Sequence, residues 1–253
     1  MPQLPARGAQ VRLLGLRLPP ARMPLLKRGR PLKRWRWVGV FGPELMLCVG
    51  DARVAGVRQR WWAVALPDGT LHEGSGAAPI QLELDEGEGV EVASPHGRSY
   101  IWTRKQAGVP VRGFAEAGGR RYEIDGEAFV DDSAGYHARR TTWRWSAGNG
   151  RLEDGRRVAW NLVDGVHDAP QDSERTVWVQ GEPHEIGPLE FAEDLSAVGG
   201  LRFSAWSARE DHTRRGPFRS DYRQPFGSFS GELPGGLALA EGYGVMEWHD
   251  ALW

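Results

Sequence analysis

Acidic, imidazole and indole side chains occur close together in the stretch DDSAGYHARRTTWRWSA (131–147). Asp132 is followed within five residues by Tyr136 and His137, and an alternating segment with Trp143 and Trp145 comes next. A carboxyl group that burial keeps protonated can donate a proton beside an aromatic wall. The same residues also suit a turn that leads into a core strand. Both interpretations are open at the level of the sequence.

The alternation of this stretch decides which side chains share a face. Successive side chains of a strand point to opposite faces, so Asp131 and Asp132 do not form a pair that shares one proton. Trp143 and Trp145 share a face, which makes them either core residues or the wall of a cavity. The Ser-Ala-Gly sequence at 133–135 predicts a turn, in which the aspartates bind backbone amides.

A second group of ionisable residues lies in VAWNLVDGVHD (158–168). Trp160 and Asp164 share one face of a predicted strand, which places the carboxyl group at the strand end, where a barrel has its mouth. His167 follows on a loop that contains glycine, and loops of this kind often carry ligand sites. Trp160 and the adjacent Asn161 are therefore candidate ligand contacts. A solvated turn is the alternative interpretation.

The C-terminal stretch EGYGVMEWHDALW (241–253) predicts a strand that closes a barrel. Tyr243, Glu247 and His249 lie on one face of this strand, and Met246 lies on the other. A carboxyl or imidazole group on a buried face needs hydrogen-bond partners. Glu247 is thus a third candidate acid.

Strand signals extend over most of the chain, which predicts an all-β protein. The sequence has 12 Trp, 34 Gly and 17 Pro among 253 residues, and glycine, proline or asparagine separates short alternating runs. No segment of a dozen residues has a convincing helical period. Many short strands with regular turn signals are typical of a sandwich or an up-and-down barrel.

The tripeptide W-R-W occurs twice, at 35–37 and at 143–145, a separation of 108 residues. Two equivalent aromatic strands at this distance suggest an internal duplication of one β unit. Coincidence in a tryptophan-rich chain is the other interpretation.

Charge is distributed unevenly along the chain. Residues 1–36 contain ten Lys or Arg and no Asp or Glu, although the whole chain has a net charge of −1. This near-zero charge provides no global field that would recruit nucleic acid. The basic N-terminal segment either packs against the acidic remainder of the chain or contacts an anionic membrane surface through its basic residues in the range 7–36.

Motifs for cofactors are missing from the sequence. It contains no phosphate-binding loop, no dinucleotide fingerprint, no CxxC and no HExxH, so we expect neither a metal nor a nucleotide cofactor. Cys48 is the single cysteine, which excludes an internal disulfide and suits a reducing compartment. No signal peptide or membrane-spanning segment is recognisable, and we expect a cytoplasmic protein, with membrane association left open.

Several long stretches resemble an uncharacterised bacterial family of domains of unknown function. They are GRPLKRWRWVGVFGPELMLCVGDARVAGVRQRWWAV (29–64), SPHGRSYIWTRKQAGVPV (94–111), DDSAGYHARRTTWRWSAGNG (131–150), WNLVDGVHDAPQDSERTVWV (160–179) and YRQPFGSFSGELPGGLALAEGYGVMEWHDALW (222–253). This family is in turn distantly similar to double-lipocalin proteins, which include carotenoid hydratases of the hydroxyneurosporene synthase type, AttH-like proteins and tocopherol cyclase.

The resemblance implies two tandem lipocalin-like antiparallel barrels with an apolar site in or between them. We accordingly expect a basic segment over 1–34, a first half over 35–130 and a second half over 131–253. The implied ligand is an isoprenoid- or lipid-like molecule, and hydratase, cyclase or isomerase activity is one interpretation. A carrier without catalysis and a membrane-surface protein are the others. The candidate catalytic residues are Asp132, Asp164, Glu247, His137 and His167, and the candidate ligand contacts are Tyr136, Trp143, Trp145, Trp160 and Asn161.

Overall fold

The computed structural model describes residues 3–216 and 218–253, and these residues form mainly antiparallel strands. The first half contains β1 (Ala6–Arg7), α1 (Gln10–Leu13), β2 (Leu26–Lys27), β3 (Arg30–Pro31), β4 (Lys33–Phe41), β5 (Met46–Val54), β6 (Val57–Ala65), β7 (Leu71–Ser75), β8 (Ile80–Leu84), β9 (Val90–His96), β10 (Ser99–Ala117) and β11 (Arg120–Gly135). The second half contains β12 (Arg140–Leu152), β13 (Arg157–Asp164), β14 (Thr176–Val179), β15 (Glu182–Glu185), β16 (Ala197–Val198), β17 (Leu201–Arg215), β18 (Phe218–Leu233) and β19 (Leu237–Leu252).

The two halves have the same strand order. The first sheet runs β1-β9-β10-β11-β4-β5-β6-β7 with β8 on β10, and the second runs β15-β14-β13-β12-β19-β18-β17-β16. In each sheet the first long strand, β4 or β12, lies between its successor and the last strand of that half. This is the order of an up-and-down barrel that remains open on one side. The predicted all-β class with two antiparallel units is confirmed.

The strand order places both W-R-W segments at equivalent positions. One occupies β4 and the other occupies β12, and each is the first long strand of its half. The chain changes sheet between Gly135 and Arg140, so the first sheet extends past the expected limit at residue 130.

The turn predicted at 133–135 is wrong. β11 continues without a break through Gly135, and Asp131 and Asp132 pair with β10 on one side and with β4 on the other. Pairing along both edges of a strand satisfies its backbone groups, and this outweighs the local preference of Ser-Ala-Gly for a turn. The two aspartates point to opposite faces, as the alternation predicts.

The basic N-terminal segment packs against the first half. β1 pairs with β9, and Val11, Leu18 and Met23 are buried in a cluster that also contains Tyr100 and Tyr136. The Tyr136 hydroxyl donates to the carbonyl of residue 24 at 2.8 Å. Two arginines of the segment also reach acidic partners, since Arg12 pairs with Glu91 and Arg7 with Glu185. Packing on the remainder of the same chain is thus observed for this segment.

None of the helices in the described ranges is long and apolar enough to cross a lipid bilayer.

Each sheet has an apolar core on one face and contributes its other face to a core between the halves. Val38 and Val130 lie in the core of the first half, and Leu162 and Met246 lie in that of the second. The shared cluster contains Trp37 and Trp145 together with residues from both sheets. Both faces of the strands are therefore largely apolar, as expected for a sheet that is covered on both sides.

The W-R-W strands face each other across the interface. The rings of Trp35 and Trp143 are almost parallel, with centroids 6.5 Å apart and an interplanar angle of 4°. Trp37 meets Trp145 edge to face at a centroid distance of 5.2 Å. Aromatic pairs of this kind add about 0.5–1.5 kcal/mol beyond the burial of their surface. These contacts connect the two halves at their equivalent strands.

Glycines opposite the indoles let the rings lie flat on the sheet. Gly50 pairs with Trp61, and a Cβ atom at position 50 would lie 2.1 Å from the Trp61 ring. Gly148 pairs with Trp160 in the second half, where a Cβ atom would lie 2.2 Å from the ring. Several of the chain's glycines thus lie within strands because an indole needs the space.

A double-mutant cycle tests the coupling between the halves. We expect Trp37→Leu and Trp145→Leu each to lower the free energy of unfolding, and their combined effect to deviate from the sum by about 0.5–1.5 kcal/mol. The measurement is urea unfolding of the four proteins. As a control, the pair Trp37→Leu and Trp160→Leu should be additive, because Trp160 packs in the core of the second half. Additive effects of Trp37→Leu and Trp145→Leu would contradict a direct contact between these two indoles.

Candidate functional site

A cavity of about 510 Å³ lies between the two sheets. Strands β4, β5, β6, β10 and β11 line it from the first half, and β12, β13, β17, β18 and β19 line it from the second. Its aromatic wall includes Trp35, Trp37, Trp61, Trp143, Trp145 and Trp253. Trp143 and Trp145 thus face a cavity, and Trp145 also belongs to the core beside it.

Strand alternation explains which residues reach the cavity. Lys33, Trp35 and Trp37 are two residues apart on β4, so they share one face and all line the cavity. On β19 the same rule brings Glu247 and His249 to the cavity, whereas Met246 packs in the core of the second half. Glu247 and His249 thus share one face of the C-terminal strand and Met246 lies on the other, as predicted.

Glu247 is the most distinctive acid of the cavity. Its carboxyl group accepts hydrogen bonds from Trp143 Nε1 at 2.7 Å and from Gln224 Nε2 at 2.8 Å, and the residue is 8% exposed. Within the described part of the chain no Lys, Arg or His nitrogen lies within 4.0 Å of it. Burial raises the pKa of Glu247 to about 7, because the charged form loses its hydration; the negative charge of Asp131 acts in the same direction.

A second acidic group lies in the same cavity around Lys105. The Lys105 ammonium is 2.7 Å from Asp131 Oδ1 and 3.5 Å from Glu174 Oε1, and all three residues are buried. Burial raises the pKa of Glu174 to about 7, and Asp131 adds to this effect while Lys105 opposes it. One ammonium group therefore faces two carboxyl groups, and the raised pKa of Glu174 leaves this residue partly ionised near neutral pH.

Asn161 and Trp145 connect this acidic group to Glu247. The Trp145 indole donates to Asn161 Oδ1 at 2.7 Å, and Asn161 Nδ2 donates to the Glu174 carbonyl at 2.8 Å. Trp145 is also the direct cross-strand partner of Glu247. Side chains at such positions have Cβ atoms about 5 Å apart. Trp145 thus links the strand position of Glu247, through Asn161, to the backbone of Glu174.

Three imidazoles line the cavity in neutral form. Burial lowers the pKa of His137 and His167 well below its usual value, and the charges of Lys33 and Lys105, respectively, act in the same direction. Burial also lowers the pKa of His249 to about 4. His167 Nδ1 lies 2.8 Å from the Ser94 hydroxyl.

No group of three or more His, Cys, Asp or Glu side chains is arranged to hold a metal ion in residues 3–216 and 218–253.

The structure brings five of the ten predicted site residues to the cavity: His137, His167, Glu247, Trp143 and Trp145. Asn161 lies behind the wall as a support. Asp132 is outside, because it points to the other face of β11 and is paired with Arg36 at 3.0 Å and with Arg104 at 2.7 Å. Asp131, and not the predicted Asp132, is the carboxylate of this stretch that lines the cavity.

Asp164 and Trp160 are also outside the cavity. They share a face of β13, as predicted, but that face packs into the core of the second half, where Trp160 is fully buried. Val163 of the opposite face lines the cavity instead. The Asp164 side chain is 52% exposed and lies 3.8 Å from Arg144. Tyr136 packs under the N-terminal segment.

Several residues that line or support the cavity escaped the sequence analysis. Lys105 and Glu174 lie in polar runs, RKQ and DSER, that carry no strand-face signal. Gln224 and Tyr222 lie on β18. Which residues of β18 face the cavity becomes clear only from the pairing of this strand with β19. Lys105 is one of only three lysines in the chain, and this rarity was the single available hint.

Stability at two pH values tests the state of Glu247. A carboxyl group with a pKa near 7 in the folded protein and near 4.5 in the unfolded chain destabilises the fold as the pH rises between these values. Glu247→Gln removes this effect. We expect the free energy of unfolding of the variant, measured with urea, to rise relative to that of the wild type by roughly 1–3 kcal/mol when the pH is raised from 5 to 8.

The matched control is Asp164→Asn, which removes an exposed carboxyl group. It should change stability equally at both pH values. A difference between Glu247→Gln and the wild type that stays constant with pH would show that Glu247 is ionised throughout.

Comparison with known proteins gives one match at the level of sequence. The model of DUF2804, a domain of unknown function, matches residues 69–253. No curated protein matches the chain.

Three solved structures resemble the chain at low sequence identity. An AttH-like protein from Nitrosomonas europaea is 12% identical, with 91% of this chain and 97% of that chain covered and a TM-score of 0.45. Kievitone hydratase from Nectria haematococca is 8% identical, with 87% and 88% covered and a TM-score of 0.46. CghA with Sch210972 is 10% identical, with 87% and 88% covered and a TM-score of 0.41.

Proposed function

The chain belongs to the DUF2804 family of domains of unknown function, and we propose that it binds a small, mainly apolar molecule between its two sheets and donates a proton to it from Glu247. The reaction class is that of a hydratase, cyclase or isomerase. The observation that carries the proposal is a buried carboxyl group in an aromatic-lined cavity, for which residues 3–216 and 218–253 provide no cationic partner.

Proton donation to a carbon–carbon double bond needs an acid that is still protonated near neutral pH. A pKa of about 7 leaves a large share of Glu247 protonated under these conditions. Once the proton has left, the indole N–H of Trp143 and the amide of Gln224 stabilise the carboxylate. These two donors reduce the cost of leaving a carboxylate in the cavity after proton transfer.

The aromatic wall stabilises the cation that protonation creates. Trp35 and Trp143 line the cavity, and Trp143 donates a hydrogen bond to Glu247 directly. A desolvated cation over an indole face gains up to about 2 kcal/mol or more. The acid and the stabilising surface are therefore adjacent.

Glu174 supplies the complementary base. Its pKa of about 7 matches that of Glu247, and it lines the same cavity. A carboxylate at this position takes a proton from water in a hydration or from the intermediate in an isomerisation. The neutral imidazoles of His137 and His167 are available to orient a water molecule.

A carrier without catalysis would neutralise each cavity carboxylate with a cation. Asp131 meets this description, because Lys105 lies 2.7 Å away. Glu247 does not, since its partners are an indole and an amide. This difference favours an acid over a carrier.

Activity tests the proposal once a ligand is known. Organic extraction and mass spectrometry of the protein purified from its natural host identify what co-purifies, and that compound and its hydrated form are assayed. We expect Glu247→Gln to lower kcat by about 10²–10⁴-fold, because general acid catalysis contributes this much, with ligand affinity retained.

The control is Asp164→Asn, whose residue lies outside the cavity and which should keep the activity of the wild type. If Glu247→Gln turns over the ligand at the rate of the wild type, the proposed acid is wrong. Ligand binding with no turnover by the wild type would support the carrier.

A membrane surface is a second candidate partner, because apolar residues are exposed at the cavity rim. Val57 is 67% and Phe218 46% exposed, and both line the cavity. Leu26 of the β2–β3 hairpin is 64% exposed. This hairpin lies next to the rim, because the backbone of Leu32 forms hydrogen bonds with that of Leu25 and with that of Ala55. Apolar residues among basic ones are typical of contact with anionic lipid.

Vesicle flotation tests this contact. Val57→Ser with Phe218→Ser should reduce flotation with anionic vesicles several-fold, because the rim loses its apolar side chains. Leu13→Ser is the control, since Leu13 is 84% exposed but lies on α1 and does not line the cavity. Equal loss in both variants, or none in either, would contradict a role for the rim.

A further inference from the structure

Lys33 is a buried cation for which the described residues provide no counter-ion. It is 1% exposed, it lines the cavity, and its Nζ lies 4.3 Å from the centroid of the Trp253 ring. No carboxylate oxygen of residues 3–216 or 218–253 lies within 4.0 Å of it. Lysine is rarely buried to this extent without an anionic partner.

The other charged and titratable groups around Lys33 do not replace that partner. Arg30 and the neutral imidazole of His137 are its neighbours, and Arg30 donates to the His137 carbonyl at 2.9 Å. Burial lowers the pKa of Lys33 to about 7, and the positive charge of Arg30 acts in the same direction. The surroundings thus oppose the positive charge.

Another polar group of the cavity also lacks an acceptor. The indole N–H group of Trp61 is buried and has no hydrogen-bond partner among the described residues. Trp61 lines the cavity. Indole and ammonium nitrogens only donate, so a molecule that satisfies this wall has to bring acceptor oxygens.

We infer that Lys33 binds an acidic oxygen of the ligand, so the ligand is an apolar molecule that carries a carboxylate or a comparable oxyanion. An anion is the group that compensates a buried ammonium most effectively. The inference rests on the proposed function, because it concerns the same cavity, and it adds the substrate class.

The position of Lys33 also orients the ligand. Trp35 follows on the same face of β4, its ring is parallel to that of Trp143, and Trp143 donates to Glu247. A ligand whose anionic end lies on Lys33 therefore extends past Trp35 and Trp143 toward the acid. The charged group and the reactive double bond lie at different ends of the molecule.

Two fluorescent probes with the same arylamine skeleton test the inference. Anilinonaphthalene sulfonate carries an anion, and N-phenylnaphthylamine is its neutral counterpart. Their dissociation constants are measured at pH 6, where Lys33 is charged, for the wild type, Lys33→Met and Lys33→Arg. We expect Lys33→Met to weaken the anionic probe about tenfold or more and to leave the neutral probe within about twofold. Lys33→Arg should retain most of the affinity for the anion.

Arg53→Met is the matched control, because it removes one exposed positive charge that does not line the cavity. It should leave both probes unchanged. Equal weakening of both probes by Lys33→Met, or no change for either, overturns the inference while the binding cavity stands. If neither probe binds the wild type, both the inference and the proposed function fail. The inference is also overturned if borohydride traps an aldehyde probe on Lys33 while Lys33→Met binds anilinonaphthalene sulfonate as tightly as the wild type does. Lys33 would then act as a nucleophile and not as an anion-binding group.

Discussion

The contact between the two W-R-W strands is the interaction on which the rest of the structure depends. Trp35 faces Trp143 and Trp37 faces Trp145, so the first long strand of one half packs against that of the other. Indoles are large and rigid, and four of them hold the sheets together while leaving space beside them. The cavity is the part of this interface that the rings border without filling.

Burial in this interface shifts its ionisable groups toward their neutral forms. Glu247 and Glu174 hold protons up to about pH 7, and His249 takes up a proton only below about pH 4. The physical cause is the same for both types of group, since a charge loses hydration when it enters a cavity walled by indoles. Between about pH 4 and pH 7 the acid Glu247 and the imidazole of His249 therefore both lie in the cavity in their neutral forms. Lys105 and Asp131 are the exception, because they neutralise each other at 2.7 Å.

The basic N-terminal segment completes the first half and extends toward the cavity. Its apolar residues cover Tyr100 and Tyr136, so its folding is part of the folding of the sheet. The segment then enters β4, whose first residue is Lys33. One residue of this basic segment, Lys33, is therefore a buried cation at the site, although the sequence suggested a surface role for the segment.

The sequence by itself determined the fold class and the faces of the aromatic strands. Alternation in WRW and in the C-terminal stretch is strong enough to place Trp143, Trp145 and Glu247 on definite faces, because a strand has a period of two residues. It also separated Asp131 from Asp132. The alternation does not show which of the two faces of a strand meets the cavity.

Only the tertiary structure decided that choice. β13 is apolar on both faces, so nothing local distinguishes the side of Trp160, which packs into one half, from that of Val163, which meets the other half. Glu174, in the loop before β14, and Lys105, on β10, became site residues because the fold brings them within 3.5 Å of each other. The same holds for the turn expected at 133–135, where pairing with two neighbours outweighed local preference. Contacts between residues far apart in the chain, rather than patterns within a stretch, select the inward acid and the unpaired cation.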